Sequence, residues 1–311
     1  MIPVPPFAYD GHLKTHHGFA FMTESAVTSA PTQRSSKVLT PAQVEAFRRN
    51  GYHFPVRALS ADEALSYRRR LEQSEAMLGG TLRGALRSKP HLLFTWANEL
   101  IRHPVILDAV EDIYGPNLLA WSSSFFIKEA HDPSYVSWHQ DSTYWGLSHP
   151  DVVTAWIALS VSIVENGCMR VMPGTHLKDQ LPHKDTFAAN NLLTRGQEVQ
   201  VEVDPAEAVD IELQPGEFSL HHVRLVHGSD PNNADYRRIG YAIRYITTYV
   251  KQTVGPRDSA TLVRGVDTYH HFDMEPVPKS DMDPEAVALH KRVTEESNQV
   301  LYRGTDKRNP K

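Results

Sequence analysis

The sequence holds a single cysteine, Cys168, so no disulfide can form within the chain, and a reducing, cytoplasmic setting is expected. It has no long apolar run either. The longest, Val152 to Val164, is interrupted by Thr154, Ser160 and Ser162, and it falls below the roughly 18 residues that a membrane span needs. A basic excess is also missing: 32 Lys and Arg against 37 Asp and Glu leave a formal net charge of −5, which argues against a nucleic-acid partner. Residues 1–22 lack a basic stretch followed by a clean apolar segment, and Pro3, Pro5 and Pro6 interrupt any helix there, so a signal peptide is not expected. No repeat of roughly 20–50 residues is visible. What is present is ordinary globular composition, 41 % apolar residues with 17 glycines beside them, enough apolar surface to offset the ordering of a chain. No nucleic acid and no membrane are expected as partners.

Residues 23–37 (TESAVTSAPTQRSSK) are rich in Ser, Thr, Pro and Ala, and 1–37 reads as a mobile arm before a single domain over 38–300. The stretch 38–115 is helical in pattern. Thr40 is suited to cap a helix, with Pro41 at its first position and Gly51 as its stop. Ser60 followed by Glu63 is a capping box for a helix ending near Gly79-Gly80. Two further helices are predicted over about 91–101 and 104–114, the second opened by Pro104 and closed by Gly115-Pro116. From 116 to 250 the pattern turns to short β-type runs: Leu118–Lys128, Val136–Tyr144, Val152–Val164, Met169–Met172, Val199–Val203, Asp210–Leu213, Phe218–His222 and Ile239–Thr247. Helices followed by strands predict an α+β chain with a mainly β core, a sandwich or barrel with its helices packed outside. A lid and a C-terminal helix, Pro284 to Val300 with Asp283 as cap, are expected over 251–300, and 301–311 reads as a solvated tail.

Seventeen histidines cannot all be ligands, so spacing must select among them. In WHQDSTYW, His139 and Asp141 lie two apart on a strand-like run, where alternate side chains face the same way. Alone, such a pair is also what an exposed strand face carries. His227 precedes a turn and a new strand bearing Arg237, Arg238 and Arg244. Two histidines and one carboxylate on one face of a coordination sphere leave three positions open, as in non-haem Fe(II) oxygenases, although the same donors suit catalytic zinc. An arginine on the strand after the distal histidine can grip a carboxylate with two parallel hydrogen bonds. His270-His271 fails as a metal pair because neighbours on a strand face apart, and it is assigned to a segment, 251–272, expected to cover the mouth of the site. His131, His149, His176, His221 and His222 are read as non-ligands, and Cys168 as core.

On WHQDSTYWGL, TAWIALSVSIVENGCMRVMPGTH and HGSDPNNADYRR, the chain resembles the phytanoyl-CoA dioxygenase family of Fe(II)/2-oxoglutarate-dependent oxygenases, over about residues 38–250. The resemblance implies a double-stranded β-helix core, of the jelly-roll or cupin-like kind, and a need for Fe(II), 2-oxoglutarate and O2. It implies His139, Asp141 and His227 as iron ligands, and Arg238, at 238 − 227 = 11 positions after the distal histidine, as the 2-oxoglutarate arginine. Ser229 would share that carboxylate, Trp156 would line the co-substrate pocket, and Lys89 in RSKPHLLF would stand near the co-substrate. Tyr144 and Trp145, directly after the iron motif, are read as a substrate wall. The implied activity is hydroxylation of an unactivated C–H bond of a small organic substrate, with release of succinate and CO2. Aspartate at 141, where halogenating relatives carry a small residue, points away from chlorination. Beside this stand a zinc hydrolase using the same three ligands, which gives Arg238 no task, and a non-catalytic metal- or ligand-binding β-barrel.

Overall fold

In the computed structural model, which describes residues 36–307, the first helix is set by its caps. The Thr40 hydroxyl accepts from the Gln43 N–H at 3.3 Å while the Gln43 side chain accepts from the Thr40 N–H at 2.8 Å. Helix α1 (Pro41–Asn50) stops at Gly51, whose φ of 84° disfavours any side chain and whose missing Cβ leaves room for the His176 ring. Strand β1 (Tyr52–Arg57) and α2 (Ala61–Met77) follow, the latter capped by Ser60 and Glu63 as the sequence predicts. The expected helix over 91–101 divides into a 3-10 turn, Pro90–Leu92, and α3 (Thr95–Ile101), because Lys89 at φ 45° and the extended Phe94 take the chain out of helical space. Helices α4 (Pro104–Tyr114) and α5 (Pro284–Leu301) stand where the sequence puts them, α5 with Asp283 accepting from the Glu285 and Ala286 N–H groups.

The remaining strands are β2 (Leu118–Lys128), β3 (Val136–His139), β4 (Val152–Ala158), β5 (Met169–Val171), β6 (His183–Asp185), β7 (Gln197–Val199) and β8 (Val209–Ile211). They are followed by β9 (Glu217–His222), β10 (His227–Ser229), β11 (Arg238–Thr247), β12 (Ser259–Arg264) and β13 (Asp273–Met274). One sheet runs β1-β9-β4-β11-β2-β12-β13, a second β3-β10-β5-β8, and β6 pairs with β7. The fold is α+β, a double-stranded β-helix with helices against the outer face of its larger sheet.

Side-chain parity on the larger sheet separates structure from chemistry. Ile239, Tyr241, Ile243 and Tyr245 of β11, with Val153, Ala155 and Ile157 of β4, pack against Leu100, Ile106 and Ala109 of the helices. The Tyr245 hydroxyl donates to the Ile101 carbonyl at 3.0 Å, so α3 is pinned as well as packed. The opposite parity, Ala242, Trp156 and Ala158, meets Met169, Val171, Ile211 and Leu225 of the second sheet and its flanks. Strand β11 is buried along its whole length, which is why its sequence reads as a continuous run.

Several expectations are corrected. The run Val136–Tyr144 is a strand only to His139, and Asp141–Tyr144 forms a 3-10 turn, so Asp141 reaches its place by the chain bending. Val152–Val164 ends as a strand at Ala158. Part of the segment expected to cover the mouth is a sheet strand instead, since β12 pairs with β2 through Thr261–Ala120 and Leu262–Leu119. The expected arm lies outside the described residues except for Ser36 and Lys37, and Lys37 is anchored, its N–H donating to Asp112 of α4 at 2.9 Å. Residues Leu301 and Arg303 of the expected tail receive hydrogen bonds from Arg195. No helix among the described residues is long and apolar enough to cross a membrane.

Candidate active site

Strands β3 and β10 pair so that His139 stands directly opposite His227, their ring centroids 4.1 Å apart. The 3-10 turn after β3 swings Asp141 back over the pair. One ligand atom from each of His139, Asp141 and His227 lies within 4.8 Å of the others, and His139 Nε2 is 3.4 Å from Asp141 Oδ1. Both imidazoles are oriented from behind. His139 Nδ1 faces the Ser137 and His227 carbonyls at 2.9 and 3.0 Å, and His227 Nδ1 faces the Leu225 carbonyl at 2.9 Å. A carbonyl only accepts, so each Nδ1 carries the proton and donates, which leaves the Nε2 lone pairs free for a metal. The charge states agree. Burial pushes His227 down to about 4, with His139 adding to the effect, so its ring is neutral near pH 7. Burial alone would raise the Asp141 carboxyl, but the adjacent His139, with His227 and Arg244 nearby, holds it well below the usual carboxylate range. Two imidazoles with their Nε2 atoms turned inward and an ionised carboxylate are the donor set that a divalent transition metal requires, so the residues fit such an ion.

Behind these three lies a cavity of about 40 Å³ whose far end is cationic. Arg238, 2 % exposed, pairs across the sheet with Lys128 of β2. The Lys128 ammonium donates to Ser229 Oγ at 2.8 Å and to the Asp230 carbonyl, and Arg238 donates to the Gly167 carbonyl. Neither has a carboxylate at ion-pair distance among the described residues. Burial, helped by the Arg238 charge, pushes Lys128 down to about 6, and burial takes Arg238 to about 10. A buried guanidinium without a counter-ion, beside a lysine that regains its proton when an anion arrives, makes an anion site. Trp156 walls this cavity, and it fits because residue 240 is glycine: a Cβ there would sit 1.8 Å from the indole.

A larger chamber of about 400 Å³ opens on the other side of Asp141 and Arg244. Tyr144 and Trp145 both line it. Trp145 packs on Trp121 at 5.1 Å, while the Tyr144 hydroxyl donates to Asp185 at 2.6 Å under the Arg195 guanidinium. Helix α5 supplies another side of the chamber through Thr294, Ser297 and Asn298.

Sequence reasoning placed Lys89 near the co-substrate; instead its ammonium pairs with Glu275 at 2.6 Å and belongs to the wall of the outer chamber. It overlooked Lys128, which ends an apolar run and is revealed only by cross-strand register. It also set aside His221, which lines the inner cavity with Nε2 3.9 Å from Asp141 Oδ2 and Nδ1 unpartnered. The parity of β9 was the available signal, since His221 faces the way Ser219 does, opposite Thr154. His131 pairs with Asp235 at the surface and His176 bonds the Arg48 carbonyl, both away from the three converging residues.

The model of the phytanoyl-CoA dioxygenase family matches residues 35–240. A probable alpha-ketoglutarate-dependent hypophosphite dioxygenase of Stutzerimonas stutzeri is 31% identical over 159 residues, covering 49% of this chain and 55% of that protein. The matched segment spans about half the length of the curated relatives. Among solved structures, the non-haem monooxygenase ThoJ in its apo form is similar with a TM-score of 0.75 and 38% identity, over 83% of this chain and 97% of that one. CytC3 with Fe(II) and alpha-ketoglutarate, which is 2-oxoglutarate, gives 0.57 and 25% over 80% and 100%.

Proposed function

The chain belongs to the phytanoyl-CoA dioxygenase family, and on that footing we propose that it is a non-haem Fe(II)- and 2-oxoglutarate-dependent oxygenase that hydroxylates an unactivated C–H bond of a small organic substrate. His139, Asp141 and His227 hold the metal, and Arg238, Lys128 and Ser229 hold the distal carboxylate of 2-oxoglutarate beside Trp156. When bound, Fe(II) with 2-oxoglutarate and O2 supplies an oxidative decarboxylation, giving succinate and CO2, and the oxidising strength to attack a C–H bond. The chain's own part is placement. Ser137, Leu225 and the His227 carbonyl fix the tautomers of the imidazoles. Asp141 stays ionised and offers the negative charge that favours an oxidised metal. Arg244, shared by both chambers, stands between co-substrate and substrate, while Tyr144 and Trp145 bound the substrate and exclude water from it. The single observation that carries this reading is the buried, counter-ion-free guanidinium of Arg238 in the same cavity as the three donors, with Lys128 beside it across the sheet. A zinc hydrolase has no use for that pair. A cytoplasmic setting, consistent with a buried lone thiol at Cys168, is part of the proposal.

Without oxygen, Fe(II) and 2-oxoglutarate added to the protein are expected to give a weak visible absorption band, which zinc does not. Asp141→Ala is expected to weaken iron binding and abolish substrate-stimulated succinate formation. Near wild-type succinate release by this variant at limiting iron would remove Asp141 from the ligand set, and the proposal with it.

A further inference from the structure

The outer chamber, about 400 Å³, has room for a small molecule. Four cations reach its wall, and three are occupied. Lys89 is paired with Glu275 at 2.6 Å, and Arg195 with Asp185 and the carbonyls that end α5. Arg244 donates to Ser124 at 2.8 Å and lies over the Trp145 ring. Arg87 is the fourth, and it is different. Its Nε is buried with no hydrogen-bond partner, as are those of Arg195 and Arg244, but unlike theirs its guanidinium makes no other hydrogen bond and has no carboxylate at ion-pair distance among the described residues. Its place is not loose, since it ends the turn Gly84–Arg87 and the next residue, Ser88, bridges to Ser124 of β2. A largely buried guanidinium without a partner is unfavourable, and an anion relieves it with charge-assisted, bidentate hydrogen bonds. Besides Asp141, the wall carries one more carboxylate, and it sets a direction. Asp258, held by the Trp121 indole N–H at 2.6 Å and by the Ser259 N–H, repels an anion from the Trp121 corner.

We infer that the outer chamber binds its substrate through an anionic group, a carboxylate or a phosphate-type oxyanion, seated on Arg87, with the carbon to be oxidised turned toward Asp141. This rests on the oxygenase reading and names the substrate class for the same site. The chain's net charge of −5 is no obstacle, because the field at this wall is set locally by Arg87, where neighbouring Lys89 is already neutralised.

The test uses protein loaded with Mn(II) and 2-oxoglutarate and a panel of small carboxylic acids, phosphate monoesters and phosphonates, each beside its neutral amide or alcohol. Binding is read by calorimetry, and substrate-stimulated succinate release is read with Fe(II). Acids are expected to bind at least about tenfold more tightly than their neutral partners. The carboxylate and phosphate arms identify which anion is used. In Arg87→Gln that preference should vanish, and in Arg87→Lys part of it should return. Neutral partners binding as well as the acids, no acid binding at all, or a preference that survives Arg87→Gln would each overturn the inference. The comparison within wild-type protein stands even where a variant folds poorly. Failure of wild-type protein to bind Mn(II) and 2-oxoglutarate together would instead overturn the oxygenase reading.

Discussion

Gly240 lies inside β11, two residues from its start, where a glycine weakens a strand, so its presence answers to space. A methyl group at this position would have to displace the Trp156 indole that walls the inner cavity. Gly240→Ala is therefore expected to destabilise the protein by about 1–3 kcal/mol, as overpacking does, and to weaken 2-oxoglutarate binding. Adding Trp156→Phe should recover much of the stability; wild-type melting and binding in Gly240→Ala alone would contradict the account. Lys128 carries a second expectation. Its ammonium titrates near 6 when no anion is bound, because burial and Arg238 oppose its charge. A carboxylate beside it favours the charged form, so 2-oxoglutarate binding should take up a proton above pH 6, and affinity should fall as pH rises. Calorimetry at pH 7.5 in buffers of different ionisation enthalpy measures this uptake, which Lys128→Met should abolish. The two residues also mark what was legible. His139, Asp141 and His227 could be read from spacing and resemblance, since each stands in a local motif. Lys128 and His221 could not, because they matter only through strands far apart in sequence that lie side by side.

Elements governed by local chemistry were the readable ones. The Thr40 cap, the Ser60 capping box and the Asp283 cap each depend on residues at most three apart, and all stand as expected. Strand β12 was not readable, since what makes it a strand is the open edge of β2, a non-local fact. The ends of strands failed similarly: polar alternation continues past His139 although the chain turns there. Helix α5 was placed correctly, but its role as a wall of the outer chamber depends on Arg195, which donates to the Leu301 and Arg303 carbonyls at 3.3 and 3.1 Å while pairing with Asp185. Arg195→Ala is expected to loosen the end of α5 from the hairpin of β6 and β7 and so speed amide hydrogen exchange over residues 284–303, with the α1 amides unchanged. Equal exchange in both proteins would mean that packing alone holds the helix.

Acid stability belongs to the molecule as a whole. Several histidines are buried without charge: burial is the main cause in each case, taking His222 down to about 4 with His176 adding to it, and lowering His91, His176 and His221 as well. Above pH 6.5 neither the folded nor the unfolded chain protonates these rings, and they cost nothing. As pH falls through the ordinary histidine value, the unfolded chain takes up protons that the folded one refuses, so unfolding gains by up to about 1.4 kcal/mol per pH unit for each ring. Glu275 acts in a lower window. Burial would raise its carboxyl, but Lys89 and His91 hold it well below the usual range, so its contribution is complete above about pH 4.5 and is lost below that value. Two stages are expected from these groups in the metal-free protein, a decline beginning near pH 6.5 and a steeper one below about 4.5, added to the steady fall of about 1.4 kcal/mol per pH unit that Lys128 gives from pH 8 to 6. Urea unfolding at intervals from pH 8 to 4 measures this directly. A flat midpoint between pH 7 and 5 would mean that the buried rings accept protons in the folded state, and that water reaches them there.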